Sequence, residues 1–135
     1  MKRLRIKVYK YLILPLAVSV MLASCSRDYR PSVSMEERDA VNKTVAAVRQ
    51  YDSLAVMQQN YESEGNVLGS MVCLREMGKR LRNESRFSEA LRLHEKGLGL
   101  AIEASDTLEW VQALNNLGTD CRRMGMLSQA HHYHL

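Results

Sequence analysis

Three of the four histidines lie together in His131-His132-Tyr133-His134. On a helix His131 and His134 would share one face, and their spacing suits two metal ligands. Zinc sites need three or four ligands, and the sequence offers no third one beside them. The distance along the sequence from His94 to His134 also separates several other pairs of similar residues in the second half of the chain. We therefore expect both histidines to pack against neighbouring helices, and we expect no bound metal.

Cys25 is the cysteine whose surroundings indicate covalent chemistry. It ends Leu22-Ala23-Ser24-Cys25, which follows a basic start and an almost wholly apolar run from Tyr11 to Ala23. This arrangement resembles the lipobox of bacterial lipoprotein signals, in which the cysteine thiol receives a diacylglyceryl group and becomes the new N-terminus. The apolar run contains Pro15 and is shorter than the roughly 20 residues that span a bilayer. We therefore expect lipidation at Cys25 and a membrane-anchored protein of the bacterial envelope that faces the periplasm.

Cys73 and Cys121 remain as an even pair in a compartment that permits disulfides. They do not correspond when the chain is aligned with itself, and Cα atoms more than about 7 Å apart cannot be bridged. Cys121 also falls on an apolar helix face, where a free cysteine packs as a small hydrophobic residue. We expect both thiols to be buried and free.

The charge distribution argues against nucleic acid as the partner. The whole chain has 19 Lys and Arg against 15 Asp and Glu, but five of the basic residues and none of the acidic ones lie in residues 1–24. The remainder is nearly neutral, with 14 basic and 15 acidic residues. The excess basicity therefore belongs to a segment whose charge serves membrane targeting.

The sequence contains no phosphate-binding loop, nucleophile elbow, paired-carboxylate spacing or metalloprotease helix. Catalysis requires several groups that converge on one place, and no such set is visible. We expect no enzyme activity, no cofactor and no small-molecule substrate.

Helices are the elements that must position these residues. Ser34-Met35-Glu36-Glu37 forms a capping box, because the Ser34 hydroxyl can accept from the Glu37 amide while the Glu37 carboxylate reaches back. Asp52-Ser53 could cap a second helix, although a single long helix is also possible. The chain has two prolines and no alternating strand pattern, so the sequence predicts an all-α fold.

Comparison of the chain with itself reveals a repeat at one fixed offset, the distance along the sequence from Gly78 to Gly118. The matching pairs are Leu74 and Leu114, Met77 and Leu117, Gly78 and Gly118, Leu81 and Cys121, Phe87 and Leu127, Ala90 and Ala130, and His94 and His134. The register is constant from the first pair to the last. The second half of the chain is therefore predicted to contain two equivalent units.

Small residues recur within each unit. Gly78 lies on the apolar helix face that carries Leu74 and Leu81. A glycine in a helix costs about 1 kcal/mol relative to alanine, so the close approach of a neighbouring helix is the natural reason for it. Ala90, on the next helix, would likewise let two backbones approach. Each unit is predicted to be a pair of antiparallel helices, packed through Leu74, Gly78, Leu81, Ala90, Leu114, Gly118, Cys121 and Ala130.

These units resemble the tetratricopeptide repeat family, whose members carry Trp-x2-Leu-Gly-x2-Tyr and then an alanine and an aromatic residue in a second helix. Leu74-x2-Met77-Gly78-x2-Leu81 and Leu114-x2-Leu117-Gly118-x2-Cys121 match this pattern, with leucine in place of the tryptophan. Leu81 and Cys121 replace the tyrosine. The resemblance covers residues 71–135 and implies a solenoid of two to three helical hairpins.

The leader pattern and the repeat resemblance together divide the chain into segments. These are a signal peptide at 1–24, the lipidated cysteine and a tether at 25–34, a degenerate helical hairpin at 35–66, and repeats at 67–106 and 107–135. The second repeat is shorter than the first, and a solenoid needs about three repeats and an end cap. We expect the chain to be the N-terminal fragment of a longer protein.

In tetratricopeptide proteins the first helix of each hairpin lines a groove that binds an extended peptide or a partner helix. The corresponding positions here are Arg75, Lys79, Arg82, Asn115, Thr119 and Arg122. Their cations could bind a carboxylate or an acidic peptide, and the Asn115 amide could bind peptide backbone. The alternative is that these residues form a solvated helix face.

The resemblance implies a protein-interaction module, a scaffold or adaptor, that is anchored to a membrane and binds a protein or peptide. An alternative is the sensory region of a signal-transduction regulator, because the repeats also resemble those of bacterial membrane regulators with kinase or DNA-binding output modules. A third possibility is a remnant that cannot fold alone. The genomic sequence downstream would distinguish the first two.

Overall fold

The computed structural model describes residues 33–134, which contain six α-helices and no strand. The helices are α1 (Met35–Ala47), α2 (Tyr51–Ser63), α3 (Val67–Asn83), α4 (Phe87–Glu103), α5 (Thr107–Arg123) and α6 (Leu127–His134). The prediction of an all-α fold is therefore confirmed. The signal peptide, Cys25 and most of the tether lie outside the described residues, so their assignments stay predictions.

Four of the five connections between helices share one geometry. Each has three residues, and the middle one has a positive φ angle: Gly65 at 71°, Ser85 at 62°, Ser105 at 54° and Gly125 at 77°. In each turn the following amide donates to a carbonyl five residues earlier, at 2.8–2.9 Å, as in the Schellman motif. The helices from α2 to α5 therefore end at equal intervals, which gives the helix pairs a constant period.

The first two helices differ from that pattern. The Ser34 hydroxyl accepts from the Glu37 amide at 3.1 Å, so the predicted cap of α1 is present. Gln50 precedes α2 and makes no side-chain cap, so the prediction that Asp52-Ser53 caps this helix is wrong. Asp52 lies instead in the first turn, where its carboxylate interacts favourably with the positive end of the helix dipole. The extended backbone of Val48 and Gln50 separates α1 from α2 and excludes one long helix.

From α2 onward, each helix packs against the next one along the chain, and α3 also contacts α5. The short connections make successive helices antiparallel, so α3 and α5 run parallel to each other. The main apolar cluster surrounds α3 and includes Val45, Leu54, Leu68, Met71, Val72, Cys73, Met77 and Ala101. The described residues thus form a stack of helices that is compatible with a helical repeat.

Helix α1 does not form a packed hairpin with α2, although the sequence predicted one at residues 35–66. It packs on α3 instead. Val45 enters the apolar cluster around α3, and Arg80 of α3 donates to the Val48 carbonyl just after α1. Since these contacts join residues far apart in the sequence, no local pattern could reveal them.

The two predicted packing glycines have equivalent surroundings. A Cβ added to Gly78 would lie 2.4 Å from Nε2 of His94, and one added to Gly118 would lie 2.4 Å from Nε2 of His134. Both glycines were predicted to allow the close approach of helix backbones. The structure corrects that reason, because a histidine ring of the following helix fills the space beside each glycine.

The helices of the described part are too short or too polar to cross a bilayer, so none of them is a candidate membrane span.

Candidate functional site

The predicted packing residues are largely buried, with one difference between the units. Leu74, Gly78, Leu81, Ala90, Gly118, Cys121 and Ala130 are buried. Leu114, the counterpart of Leu74, is only half-buried. The reason is that α3 packs closely against α1, α2, α4 and α5. Among the described helices, α5 packs closely against α3, α4 and α6 and meets α1 through the Arg38 side chain.

Arg75 was predicted to face an open groove, but its side chain lies between helices. Its Nη1 donates to Oε2 of Glu109 on α5 at 2.5 Å, and its Nη2 donates to Oδ1 of Asn42 on α1. The side chains of Arg75 and Glu109 are 8% and 4% exposed. Arg75 therefore joins α1, α3 and α5 and is not free to bind a ligand.

Arg38 of α1 completes this buried cluster, which the sequence analysis did not identify. Its guanidinium donates to Oδ2 of Asp106 at 2.7 Å and to Oε1 of Glu109 at 3.1 Å. Burial would lower the pKa of Arg38, but the hydrogen bond and negative charge of Asp106, together with those of Glu109, outweigh it and raise the pKa. The cluster thus holds α1 against the first turn of α5.

Arg82, also predicted to line the groove, contacts the far end of α5. Its Nη1 donates to Oδ1 of Asp120 at 2.9 Å, and its Nη2 donates to Oδ1 of Asn116 at 3.2 Å. Oδ2 of Asp120 lies 2.5 Å from Nδ1 of His94 on α4. A carboxylate only accepts hydrogen bonds, so this histidine nitrogen carries the proton. One buried carboxylate therefore joins α3, α4 and α5.

Lys79, the third cation predicted to line the groove in the first unit, is partly exposed and pairs with Glu76 at 2.7 Å on the same helix. A pair of this kind contributes only a few tenths of a kcal/mol. The cations of the first unit are therefore neutralised by neighbouring acids. Arg75 and Arg82 stabilise the stacking of α5 on α3, which is a structural role.

The corresponding face of α5 is open. On α3 this face carries Leu68, Met71, Arg75, Lys79 and Arg82, and α1 and α5 cover most of it. The residues at the equivalent positions of the second unit are Leu108, Val111, Asn115, Thr119 and Arg122, which we call the α5 face. They include the three remaining residues that were predicted to line the groove.

Exposure quantifies the difference between the two faces. Leu68 and Met71 are 4% and 3% exposed, whereas Leu108 and Val111 are 49% and 60% exposed. Asn115 and Arg122 are less enclosed than their counterparts on α3, and Thr119 is half-buried. The Thr119 hydroxyl donates to the Asn115 carbonyl at 2.9 Å. The α5 face is thus an apolar strip next to an amide and a cation, and it lies at one end of the described stack.

The histidines at the C-terminal end are spread over α6. His134 packs on Gly118, and His131 and His132 are exposed. Within residues 33–134, no group of three or more His, Cys, Asp or Glu side chains is arranged to hold a metal ion.

Cys73 and Cys121 are buried free thiols, as the sequence predicted. Burial raises the pKa of the Cys73 thiol from 9.0 to about 11. Burial also raises the pKa of Cys121, and the negative charges of Asp120 and Glu95 add to this effect. Neither thiol has the lowered pKa of a reactive cysteine.

The raised pKa of Cys73 predicts a loss of stability at alkaline pH. Below pH 9 the thiol is neutral in both the folded and the unfolded chain, so it contributes nothing. Above pH 9 the unfolded chain ionises while the folded chain resists until about pH 11. This group alone should lower the free energy of unfolding by up to about 1.4 kcal/mol per pH unit in that window. Urea unfolding at pH 8 and pH 10 measures the fall, which the Cys73→Ala variant should reduce; an equal fall in both would contradict the assignment.

The acids that join the helices were not predicted from the sequence. Asp106, Glu109 and Asp120 are buried. In the sequence, however, Asp106 looks like an ordinary helix cap, and the other two look like ordinary polar residues of an amphipathic helix. A usable signal was present for one contact, because Gly78 and His94 recur together as Gly118 and His134. A repeat shows which positions are equivalent, but it does not show which of them touch.

No protein-family model, no curated protein and no solved structure matches this chain. The candidate site is therefore defined by the difference in exposure between the equivalent faces of α3 and α5.

Proposed function

We propose that this protein is an interaction module of tetratricopeptide type that binds a helix of a partner protein on the α5 face. The observation that carries the proposal is the contrast in exposure between Leu68 and Met71 on α3 and Leu108 and Val111 on α5. On α3 such a face is covered by packed helices. A helix is therefore the shape of partner that the α5 face fits.

The composition of the α5 face supports binding over a merely solvated surface. Contiguous exposed apolar residues rimmed by polar ones are typical of protein interaction sites. Burial of apolar area stabilises a complex by about 25 cal/mol per Å² before the costs of association are subtracted. Leu108 and Val111 would supply that area, and Asn115, Thr119 and Arg122 would provide hydrogen bonds that fix the orientation of the partner.

A photo-crosslinking experiment in native cells tests this function. A benzophenone amino acid at position 111 should give a discrete cross-linked product with a partner protein, because this side chain lies in the proposed interface. Position 56 on α2 is the matched control, since Val56 is 57% exposed and Val111 is 60% exposed. Equal labelling from both positions, or no product from position 111, would contradict the proposal.

The proposed location is the bacterial envelope, with a lipid anchor at Cys25. The support is the Leu22-Ala23-Ser24-Cys25 sequence after a basic and apolar leader. Each acyl methylene contributes about 0.8 kcal/mol to membrane binding, and more than one chain is needed for a stable anchor. A lipoprotein signal would supply those chains on a single cysteine.

Replacement of Cys25 by alanine should abolish the incorporation of radiolabelled fatty acid, because the thiol that accepts the diacylglyceryl group is lost. Autoradiography of the protein from labelled cells measures this. Cys73→Ala is the control and should leave labelling unchanged, since Cys73 is buried. Undiminished labelling of the Cys25→Ala protein would refute the anchor.

A further inference from the structure

The first unit shows how this fold binds a carboxylate. Asp120 of α5 is completely buried. One of its oxygens lies 2.5 Å from Nδ1 of His94, and the other accepts from Nη1 of Arg82 at 2.9 Å. The arginine is on the first helix of the unit and the histidine on the second. Together they form a two-point clamp for an acid on the next helix.

The second unit repeats both clamp residues. Arg122 stands at the position equivalent to Arg82, and His134 stands at the position equivalent to His94. Both are exposed, and among residues 33–134 neither forms an ion pair or hydrogen bond with a carboxylate. The second clamp therefore lies at the end of the described part of the stack, beside the α5 face.

The second clamp is also preorganised like the first. A Cβ at Gly118 would meet Nε2, Cε1 and Cδ2 of His134 at 2.4, 2.6 and 2.8 Å. The corresponding distances from Gly78 to His94 are 2.4, 2.7 and 2.8 Å. The ring of His134 is thus seated as the ring of His94 is, so its Nδ1 is presented in the same way.

We propose that Arg122 and His134 bind an aspartate or glutamate side chain of the partner helix, in the way that Arg82 and His94 bind Asp120. This inference rests on the proposed function and specifies the chemistry of the partner. The partner helix would lie parallel to α5 and bring its carboxylate to the C-terminal end of that helix. Its apolar side would cover Leu108 and Val111.

The charges nearby favour an acidic partner at this end. Arg122 and Arg123 are both exposed in the last turn of α5. Asp120, the acid nearest to them in sequence, points instead to Arg82 and His94. Hydrogen bonds to ionised groups are stronger than those between neutral groups, so a clamp of two donors discriminates between a carboxylate and an amide.

Helix α5 itself supplies the probe, because it is the helix that the first clamp binds. The probe is a fluorescent, hydrocarbon-stapled peptide with the sequence of residues 106–123 and the substitution Cys121→Ser. It is titrated against the full chain in detergent, and binding is followed by fluorescence anisotropy. A second peptide carries Asp120→Asn, which removes the charge and keeps the shape.

We expect the aspartate peptide to bind at least about tenfold more tightly than the asparagine peptide. Arg122→Ala and His134→Ala in the protein should each weaken the aspartate peptide by a similar factor and weaken the asparagine peptide much less, because its amide makes only neutral-acceptor hydrogen bonds. Arg123→Ala is the matched control, since Arg123 is an exposed arginine in the same turn as Arg122 but has no counterpart in the first clamp, and it should change neither affinity.

Three results would contradict the proposed clamp. The first is the absence of saturable binding of the aspartate peptide, and the second is equal affinity for the two peptides. The third is an affinity for the aspartate peptide that Arg122→Ala and His134→Ala do not change. Dimerisation of the full chain that Arg122→Ala abolishes would also overturn it, in favour of a second copy as the occupant. The cross-link from position 111 reports separately whether the α5 face binds any partner, so it distinguishes a failure of the clamp from a failure of the proposed function.

Discussion

Replacement of Asp120 by alanine is expected to lower the free energy of unfolding by about 3–5 kcal/mol, the usual cost of removing one partner of a buried ion pair. Asp120 is completely buried, and its carboxylate is the shared partner of Arg82 and His94. Without it, the guanidinium and the ring stay between the helices and lose the group that accepts from them. Urea unfolding followed by circular dichroism measures the change.

Asp52→Ala is the control for this prediction. Asp52 is an exposed acid in the first turn of α2, and its loss should change the free energy of unfolding by no more than about 0.5 kcal/mol. The double variant Arg82→Ala, Asp120→Ala should cost less than the sum of the two single variants, because the two side chains interact. If Asp120→Ala unfolds at the same urea concentration as Asp52→Ala, the buried carboxylate does not join the helices.

The Gly78→Ala variant is expected to be less stable by about 1–3 kcal/mol, the typical cost of overfilling a packed core. Alanine favours a helix over glycine by about 1 kcal/mol, so intrinsic propensity predicts the opposite sign. The new methyl group would lie 2.4 Å from the His94 ring, which is itself buried and held by Asp120. The ring therefore cannot move aside without breaking that contact.

Gly99→Ala provides the matched comparison within α4. A Cβ at Gly99 meets no atom within 4 Å, so this substitution should raise the free energy of unfolding by about 0.5–1 kcal/mol through helix propensity alone. Thermal or urea unfolding of the two variants should thus move the transition in opposite directions. Equal shifts, or a more stable Gly78→Ala protein, would show that His94 does not pack on Gly78.

The buried ion pairs have a consequence for how the helices stack. Such pairs add little net stability over a well-packed apolar contact, but a wrong alignment would bury unpaired charges at a cost of about 3–5 kcal/mol. Arg75 with Glu109 and Arg82 with Asp120 lie at two levels of α3 and α5. Only one register of these two helices satisfies both pairs, so the pairs fix the register.

The sequence predicted the helical parts of the fold that depend on local patterns. The hydroxyl of Ser34 caps α1 as expected. The repeat reappears in α3 and α5, which begin at the equivalent positions Val67 and Thr107 and have equal lengths. Both features follow from rules that act within a few residues or from direct repetition, which a single sequence displays.

Contacts between distant positions could not be predicted in the same way. Arg38 reaches Asp106 across 68 residues and Glu109 across 71, and no spacing rule connects such pairs. For the same reason the placement of α1 on α3, and not on α2, was missed. The positions of the arginines on α3 were identified correctly as a helix face, but the acids that neutralise them lie on another helix.

The candidate site was therefore predicted in part. Asn115, Thr119 and Arg122 were placed on a common face from the sequence, and they share the α5 face in the structure. The sequence could not reveal that the equivalent face of α3 is covered, which is the observation that makes the α5 face distinctive. His134 was assigned to packing, and its pairing with Arg122 emerged only from the contact between Asp120 and His94.

The equivalence of the two units is the claim on which the α5 face and the clamp both depend, and nuclear Overhauser spectroscopy of the isotopically labelled protein tests it directly. The ring protons of His94 should show contacts to the Hα protons of Gly78, and the ring protons of His134 should show the same contacts to Gly118. Contacts at Gly78 without their counterparts at Gly118 would contradict the account, because the second unit would then not present the face and the histidine of the first.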